Sequence, residues 1–373
     1  MRNGHRVVDS DAHAMEPWDL WDKHIDKEFY DNRPRCDPDT TDVVVLGQVM
    51  SRSTQPTPGY DLEPYKKAIQ QGWPERFAEQ RARGFSADSY IDAMDSEGVD
   101  TMVLFPTRGL YAASVEHLPG PLSAAICRAY NRWVADFTSY DSRLVGVALM
   151  ALHDPALAAK EAQYAVQELG LKALMLRPNP YEGRTLEDRA NDVFWAEAAS
   201  LGVPVATHEG AGVWMPEYGF ERFTSRLAQH AICHSFEQMA AVVSFTTGGI
   251  LERHPGLKVA ILEAGGGWLP YWLNRLDEHA EWLEDVPTET GELTMKPSEY
   301  FKRQGYVNFE ADEPGLDALV SYLGADRMLW ASDYPHPDGK YPGMVDHLFG
   351  ARGLTAEDLR NVADVAPGAL YGV

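Results

Sequence analysis

The sequence is poor in cysteine and in basic residues. Its three cysteines, Cys36, Cys127 and Cys233, are an odd number without metal-type spacing, which favours a reducing compartment over a disulfide framework. Lys and Arg total 33 against 56 Asp and Glu, so the formal net charge is −23. Nucleic acid and anionic membranes are bound through clustered positive charge, so this balance argues against both as partners.

The sequence also lacks a long apolar run. No stretch reaches the roughly 18 apolar residues that span a bilayer, and the first residues have no apolar signal core. We therefore expect a cytoplasmic protein that acts on a small molecule. Hydrophobic residues make up 45% of the 373, which is enough to build one large core, and we interpret 1–373 as a single domain. The oligomeric state is left open, with a homodimer as the common case.

Short apolar runs alternate with helix-like segments over most of the chain. Their continuous rather than alternating apolar character is typical of strands buried on both faces of a parallel sheet. The candidate strands are Arg6–Asp11, Thr101–Phe105, Leu144–Leu149, Lys172–Leu176, Pro204–Thr207, Lys258–Leu262, Tyr306–Phe309 and Arg327–Ala331. Eight strand-then-helix units predict an α/β fold of the (β/α)8, or TIM barrel, type.

Residues typical of helix starts and ends support this alternation of strands and helices. Asp154 followed by Pro155 indicates an N-cap and the first helical position, and a helix over Asn191–Leu201 would end before Gly202. Helices are also predicted over Ser123–Ser139 and Phe236–Arg253.

Two segments are longer than ordinary connections. The first, at about 31–84, is rich in Pro, Asp, Thr and Gly and is predicted to be an insertion after strand one. The second, Gly210–Arg226, follows strand five. Long loops at the carboxyl ends of barrel strands are where this fold builds its substrate pocket.

Metal-ligand residue types stand at three strand ends. Asp11 and His13 are two residues apart, so both can point into the barrel mouth from the first strand. His208 follows strand five, and Asp333 follows strand eight. Carboxylate and imidazole groups that meet at one face can bind a divalent ion.

Four segments, three of which carry these residues, resemble the amidohydrolase superfamily, in the branch with aminocarboxymuconate semialdehyde decarboxylase and γ-resorcylate decarboxylase. They are Asp9–Pro17, Gly202–Gly210, Glu252–Val259 and Ala331–His336. The resemblance implies that Asp11, His13, His208 and Asp333 surround a divalent metal. Relatives carry His-x-His or an acid in the first position, and the acid Asp11 leaves zinc, iron and manganese open.

Further candidate ligands leave open whether the site holds one metal ion or two. Glu263 follows strand six, where relatives often have a histidine, and it is predicted to be a general base, a second-metal ligand or a structural partner for an arginine. His234, spaced with His230 for one helix face, is a candidate for catalysis and for ligation, and Glu16 is a candidate ligand. On the substrate side the candidates are Arg177, Arg108 and Trp214, and a buried ion pair with a barrel carboxylate is the alternative role of Arg177.

Hydrolysis of an acyl bond is the leading functional prediction. A metal-activated water would attack the substrate, Asp333 would move the proton, and Glu263 or His234 would assist. The alternative is metal-dependent, non-oxidative decarboxylation of an aromatic or enoic acid, against which the missing strand-six histidine weighs weakly. A non-catalytic binding barrel is a third possibility, which the complete ligand set disfavours.

Overall fold

The structure, a computed structural model, describes residues 4–38 and 42–373, and the side chains of all of these except 68–74 and 289. Residues 39–41 of the predicted first insertion lie outside the described residues. The strands are β1 (Val8–Ala14), β2 (Arg35–Cys36), β3 (Val43–Val45), β4 (Gln48–Val49), β5 (Thr101–Pro106), β6 (Leu144–Leu149), β7 (Ala173–Leu176), β8 (Val205–Thr207), β9 (Val259–Ile261), β10 (Gly305–Phe309) and β11 (Met328–Trp330).

The helices fill the connections between strands. They are α1 (Leu20–His24), α2 (Glu63–Arg76), α3 (Ala78–Ala82), α4 (Ala87–Glu97), α5 (Gly109–Ala112), α6 (Gly120–Thr138), α7 (Pro155–Gln167), α8 (Asp192–Leu201), α9 (Arg226–Phe245), α10 (Ile250–Arg253), α11 (Leu269–Trp282), α12 (Pro287–Thr290), α13 (Pro297–Gln304), α14 (Leu316–Leu323), α15 (Met344–Phe349), α16 (Ala356–Arg360) and α17 (Ala366–Tyr371). Short 3₁₀ and π segments are Lys27–Asn32, Arg52–Thr54, Arg189–Asn191, Ala325–Arg327 and Asn361–Val365.

Eight strands form one sheet in the order β1-β5-β6-β7-β8-β9-β10-β11, and each neighbouring pair is parallel. The residues that follow β11 close the sheet on β1, because Asp333 N donates to Asp11 O at 3.1 Å and His13 N donates to Tyr334 O at 2.7 Å. Asp9 adds a side-chain link by accepting from Ser332 N at 3.1 Å. The predicted TIM barrel is confirmed.

All eight predicted strands are present, with ends that differ by a few residues. β1 runs to Ala14 rather than ending at Asp11, and a register irregularity lies between Asp9 and Ala12. Polar residues normally mark the end of a buried strand, but here the polar side chains are themselves buried: Asp9, Asp11 and His13 are each at most 1% exposed.

One predicted helix start and one predicted helix end are accurate, and each has a capping residue. Asp154 accepts from Ala156 N and Leu157 N at the start of α7, and Gly202 ends α8 in the left-handed region with φ 70°. The helix predicted over Phe236–Arg253 is wrong in its bounds. α9 begins at Arg226, and a separate α10 begins after Gly249, whose φ is 78°.

The two long segments meet beside the barrel mouth. β2, β3 and β4, which lie between β1 and β5 in the chain, form a separate small antiparallel sheet. Trp214 of the second segment donates its indole N–H to Val49 O at 2.7 Å, and Arg52 N donates to Gly212 O at 2.5 Å. Among the described residues, no helix is both long and apolar enough to cross a membrane.

Candidate metal centre

The first barrel strand brings Asp11 and His13 into the barrel mouth. The His13 ring is oriented by its Nδ1, which lies 2.9 Å from Pro106 O at the end of the neighbouring strand. A backbone carbonyl can only accept, so Nδ1 donates and Nε2 carries a lone pair. That Nε2 lies 3.8 Å from Asp11 Oδ1.

His208 reaches the same place from the end of β8. Its Nδ1 lies 2.6 Å from Glu209 O, so Nε2 again carries the lone pair. Nε2 of His208 lies 3.5 Å from Asp11 Oδ2, and the two histidine rings meet edge to face with their centroids 4.8 Å apart. The ligating atoms of Asp11, His13 and His208 all lie within 4.8 Å of one another.

Among the described residues, these atoms have no hydrogen-bond partner. Both Asp11 carboxylate oxygens, His13 Nε2 and His208 Nε2 are buried and unpaired. Buried polar groups are nearly always bonded, and a cation is a partner that this convergent set of unpaired acceptors can share. Two imidazole nitrogens and a carboxylate suit zinc, iron or manganese, and the residues present therefore fit a divalent metal.

Asp333 and Glu263 complete the wall of this site. Asp333 Oδ1 lies 3.3 Å from His13 Nε2, and Glu263 Oε2 lies 3.8 Å from His208 Nε2. Both residues have a left-handed backbone, with φ of 55° and 60°. For a non-glycine residue this conformation costs roughly 1–3 kcal/mol and is concentrated at functional sites.

Burial dominates the electrostatics. It holds the pKa of His13 well below its ordinary value and lowers the pKa of His208 to about 3, so both imidazoles are neutral and able to ligate. Burial, followed by the charges of Glu263 and Asp9, raises the pKa of Asp11 well above its ordinary value. Burial also raises the pKa of Asp333, with Asp338 next, and that of Glu263, with Asp333 next. A dication would offset this concentration of negative charge.

Glu16 and His234 are not brought into this cluster. Glu16 Oε1 accepts from Thr107 N and Gly109 N at 3.0 Å each, and Oε2 accepts from Arg108 N at 2.8 Å, a use that competes with ligation. His234 Nδ1 lies 2.9 Å from His230 O on α9. Within the described chain, neither residue belongs to a group of ligating atoms close enough to share an ion.

The predicted substrate-binding residues have partners in the protein. Arg177 donates through Nη2 to Glu209 Oε1 at 2.5 Å and to Gly210 O at 2.8 Å. Arg108 bonds the backbone oxygen of Glu16, and its guanidinium lies 3.6 Å from the centre of the Trp18 ring. Trp214 is partly buried and joins the two long segments.

Sequence reasoning missed a second buried cluster. Glu209, Glu217 and Cys233 place ligand-type atoms within 4.8 Å of one another, next to Arg177. Glu209 stands in the Gly202–Gly210 segment directly after His208, so a signal for it was present. Glu217 lies in the strand-five segment, where nothing in the local pattern marks it.

The comparisons with known proteins identify the family of the chain. The family described as Amidohydrolase matches residues 8–373. A γ-resorcylate decarboxylase from Polaromonas sp. is 26% identical over 265 residues, covering 66% of this chain and 76% of that protein. A 2-amino-3-carboxymuconate-6-semialdehyde decarboxylase from Dictyostelium discoideum is 24% identical over 275 residues, covering 72% of each.

Solved structures share the fold over nearly the whole chain. An amidohydrolase from Mycobacterium avium subsp. paratuberculosis has a TM-score of 0.78 and 22% identity, with 99% of this chain and 98% of that chain covered. A 5-carboxyvanillate decarboxylase from Novosphingobium aromaticivorans with bound manganese has a TM-score of 0.73 and 19% identity, with 100% and 98% covered.

The predicted hydrolysis is wrong. The curated relatives are named decarboxylases, which supports the alternative drawn from the sequence. The error has a physical cause: the same ligand set can activate water or hold a substrate carboxylate, so the ligands alone do not distinguish the two reactions.

Proposed function

The chain belongs to the amidohydrolase family, and from that membership we propose that it is a metal-dependent, non-oxidative decarboxylase of a small aromatic or enoic acid. The observation that carries the proposal is the convergence of unpaired Asp11, His13 and His208 atoms in a chain whose curated relatives are named decarboxylases. Asp11, His13, His208 and Asp333 would hold the ion.

The ion, when bound, supplies a Lewis acid that polarises a substrate oxygen. Manganese is the first ion to test, because the similar 5-carboxyvanillate decarboxylase carries it, and zinc and iron should be tested beside it. The site would take one ion, with a second ion beside Glu263 as the alternative.

We propose that Glu263 donates the proton that replaces the lost carboxyl group. Loss of carbon dioxide leaves a carbon that must gain a proton, and the acid that gives it must still be protonated near neutral pH. Burial and the neighbouring Asp333 raise the pKa of Glu263 well above its ordinary value. Asp333 also has a raised pKa, but it is needed as a ligand, whereas Glu263 is free to hold a proton beside the substrate.

The substrate should be a small acid held by its own carboxylate. Arg177 and Arg108 already bond Glu209 and Glu16, so we do not assign them to the substrate carboxylate. Trp214 and the strand-five segment border the mouth and are proposed to line the pocket. His234 is 8% exposed and bonded within α9, and we give it no role in the reaction.

The test is release of carbon dioxide by the full chain reconstituted with manganese. Probe acids are 2,6-dihydroxybenzoate and 5-carboxyvanillate, and the expected result is release that stops when the metal is chelated. Glu263→Gln should lower kcat by roughly 10²–10⁴-fold, the usual value of a positioned acid, and should still bind manganese. Glu278→Gln, on the exposed side of α11, is the matched control and should keep full activity.

One outcome would overturn the proposed function, and another would overturn only the role of Glu263. One is no release of carbon dioxide from any aromatic or enoic acid by a chain that holds its metal. The other is undiminished release by Glu263→Gln, which would remove the proton from Glu263 and leave only the reaction class standing.

A further inference from the structure

Gln238 of α9 contacts the carboxyl ends of two neighbouring barrel strands. Its side chain is fully buried. Its Nε2 donates to Thr207 O at 2.8 Å and to Leu262 O at 2.9 Å. Thr207 is the last residue of β8, and Leu262 follows the last residue of β9. One amide group therefore joins two strand ends at the face of the barrel where the candidate metal centre lies.

The two bonded carbonyls stand directly before two residues of the proposed site. The proposed ligand His208 follows Thr207, and the proposed acid Glu263 follows Leu262. Nε2 of His208 lies 3.8 Å from Oε2 of Glu263. We propose that Gln238 is a positioning residue that fixes the separation of His208 and Glu263. This inference rests on the proposed function and adds to it a residue that acts through the backbone.

The contacts also determine how the Gln238 amide is oriented. A backbone carbonyl only accepts hydrogen bonds, so the amide atom that faces Thr207 O and Leu262 O is the nitrogen, and both of its N–H groups are used. Oε1 accepts from the Thr207 hydroxyl at 2.6 Å, which holds the amide from its other side. A rotated amide would place its oxygen against two carbonyl oxygens, so one orientation is strongly favoured.

The strand pairing shows why the end of β9 needs this partner. Thr207 pairs with Ile261, and Leu262 N donates to Thr207 O at 3.1 Å. Glu263 then has a left-handed backbone with φ 60°, and a left-handed residue cannot continue an extended strand. The bond from Gln238 fixes the carbonyl directly before this turn, and so fixes the point from which the Glu263 side chain reaches the site.

The first test separates kcat from KM in Gln238→Met. Methionine has a similar length but no amide, so both carbonyls lose this donor. A displacement of about 1 Å in an active site can cost roughly 10²-fold in rate. At saturating Mn²⁺, kcat for release of carbon dioxide from the probe acids should fall by about 10- to 100-fold, and KM should change by less than about threefold. Thr207→Val keeps both carbonyl bonds and should lose less.

Gln304 is the matched control. It ends α13, it is 3% exposed, and its Nε2 donates to His254 O at 2.9 Å and to Leu257 O at 2.7 Å. These carbonyls precede β9, at the amino ends of the barrel strands and away from the proposed site. Gln304→Met loses the same kind of bonds, so it should lower the melting temperature about as much as Gln238→Met and leave kcat unchanged.

A double-mutant cycle identifies the residue through which Gln238 acts on the rate. If Gln238 positions Glu263, its contribution is already lost in Glu263→Gln. Adding Gln238→Met to that variant should then lower the remaining kcat by less than about threefold. A general disturbance of the fold would instead multiply the two losses.

The second readout is manganese affinity, which does not depend on turnover. The metal-depleted full chain is titrated with Mn²⁺, and free Mn²⁺ is followed by electron paramagnetic resonance. Because Gln238 also fixes the carbonyl before His208, Gln238→Met should raise the dissociation constant by about 10-fold, the lower end of the usual cost of losing a residue that orients a ligand. Gln304→Met should not change it.

The outcomes separate this inference from the proposed function. Wild-type kcat or wild-type Mn²⁺ affinity in Gln238→Met, shown to be folded by circular dichroism, would contradict the inference and leave the proposed function intact. Equal losses in Gln304→Met would also contradict it. A wild-type chain that binds Mn²⁺ but releases no carbon dioxide would overturn the proposed function, and the manganese titrations would still decide whether Gln238 positions His208. A wild-type chain that takes up no divalent metal would overturn both.

Discussion

Arg177 lies at the end of β7 among buried carboxylates. It is 2% exposed, and its Nη2 lies 2.5 Å from Glu209 Oε1 and 3.9 Å from Glu217 Oε1. Burial opposes the charge on Arg177, but Glu209 and Glu217 outweigh it and raise the Arg177 pKa. Glu209 directly follows the proposed ligand His208 in the chain. The ion pair with Arg177 therefore stabilises the backbone next to that ligand.

Replacing Arg177 therefore tests stability before it tests binding. Arg177→Met should lower the free energy of unfolding by roughly 3–5 kcal/mol, since it leaves buried acids without their partner. Urea denaturation of the metal-free chain measures this. The exposed pair of Arg189 and Glu292 is the control, and Arg189→Met should cost less than about 1 kcal/mol. A stable Arg177→Met variant with a raised KM would instead support the substrate role predicted from the sequence.

For single residues, the sequence predicts which residue types form the site better than it predicts their hydrogen-bond partners. Period-two spacing in a strand was enough to place Asp11 and His13 together. Nothing local shows that Glu16 accepts from Thr107 and Gly109, because those donors come from residues far along the chain. The left-handed backbone of Glu263 also has no signal in the sequence, since that conformation is normally marked by a glycine.

Buried carboxylates attach the strand-five segment to α9. Glu217 accepts from Gly212 N and Val213 N, and Glu237 of α9 accepts from Tyr218 N at 2.6 Å. Burial is the main cause that raises the pKa of Glu237 from 4.5 to about 7. The attachment of this loop should therefore depend on pH.

The direction in which stability changes with pH depends on whether the folded or the unfolded chain holds the proton on Glu237. Between about pH 5 and 7 the folded chain keeps a proton on Glu237 that the unfolded chain loses, so the stability that depends on this proton is lost as the pH rises to 7. Glu237→Gln removes the penalty while keeping an acceptor for Tyr218 N. It should raise the free energy of unfolding by roughly 1–3 kcal/mol at pH 8 and little at pH 5. The exposed Glu281→Gln should change little at either pH, and an equal effect of Glu237→Gln at both would contradict the interpretation.

Elements were predictable where apolar residues run without interruption. Each strand from β5 to β11 starts and ends within about a residue of its predicted bounds, since a buried parallel strand requires such a run. The start of α9 was missed because its first turns, from Arg226 to His230, are mostly polar. Its end was missed because Gly248 and Gly249 interrupt a segment that is otherwise helix-like.

The proposed ligands come from distant parts of the chain. Asp11 and His13 stand on the first barrel strand, His208 follows the fifth, and Asp333 follows the eighth. The same region closes the barrel through the bonds between residues 332–334 and β1. An ion held by these residues would therefore stabilise the closure of the whole barrel rather than one local loop.

Removal of the metal should consequently shift one transition of the whole chain. If 1–373 is a single domain, as we propose, calorimetry should show one unfolding peak with or without metal. A ligand at a thousand times its dissociation constant stabilises the folded state by about 4 kcal/mol, so chelation should lower the midpoint by several degrees. His13→Asn should reproduce the low midpoint and no longer respond to chelator. Two separate unfolding peaks, of which only one responds to metal, would contradict the single domain. They would also contradict the link between the ion and closure of the barrel, because the residues from 11 to 333 would then not unfold together.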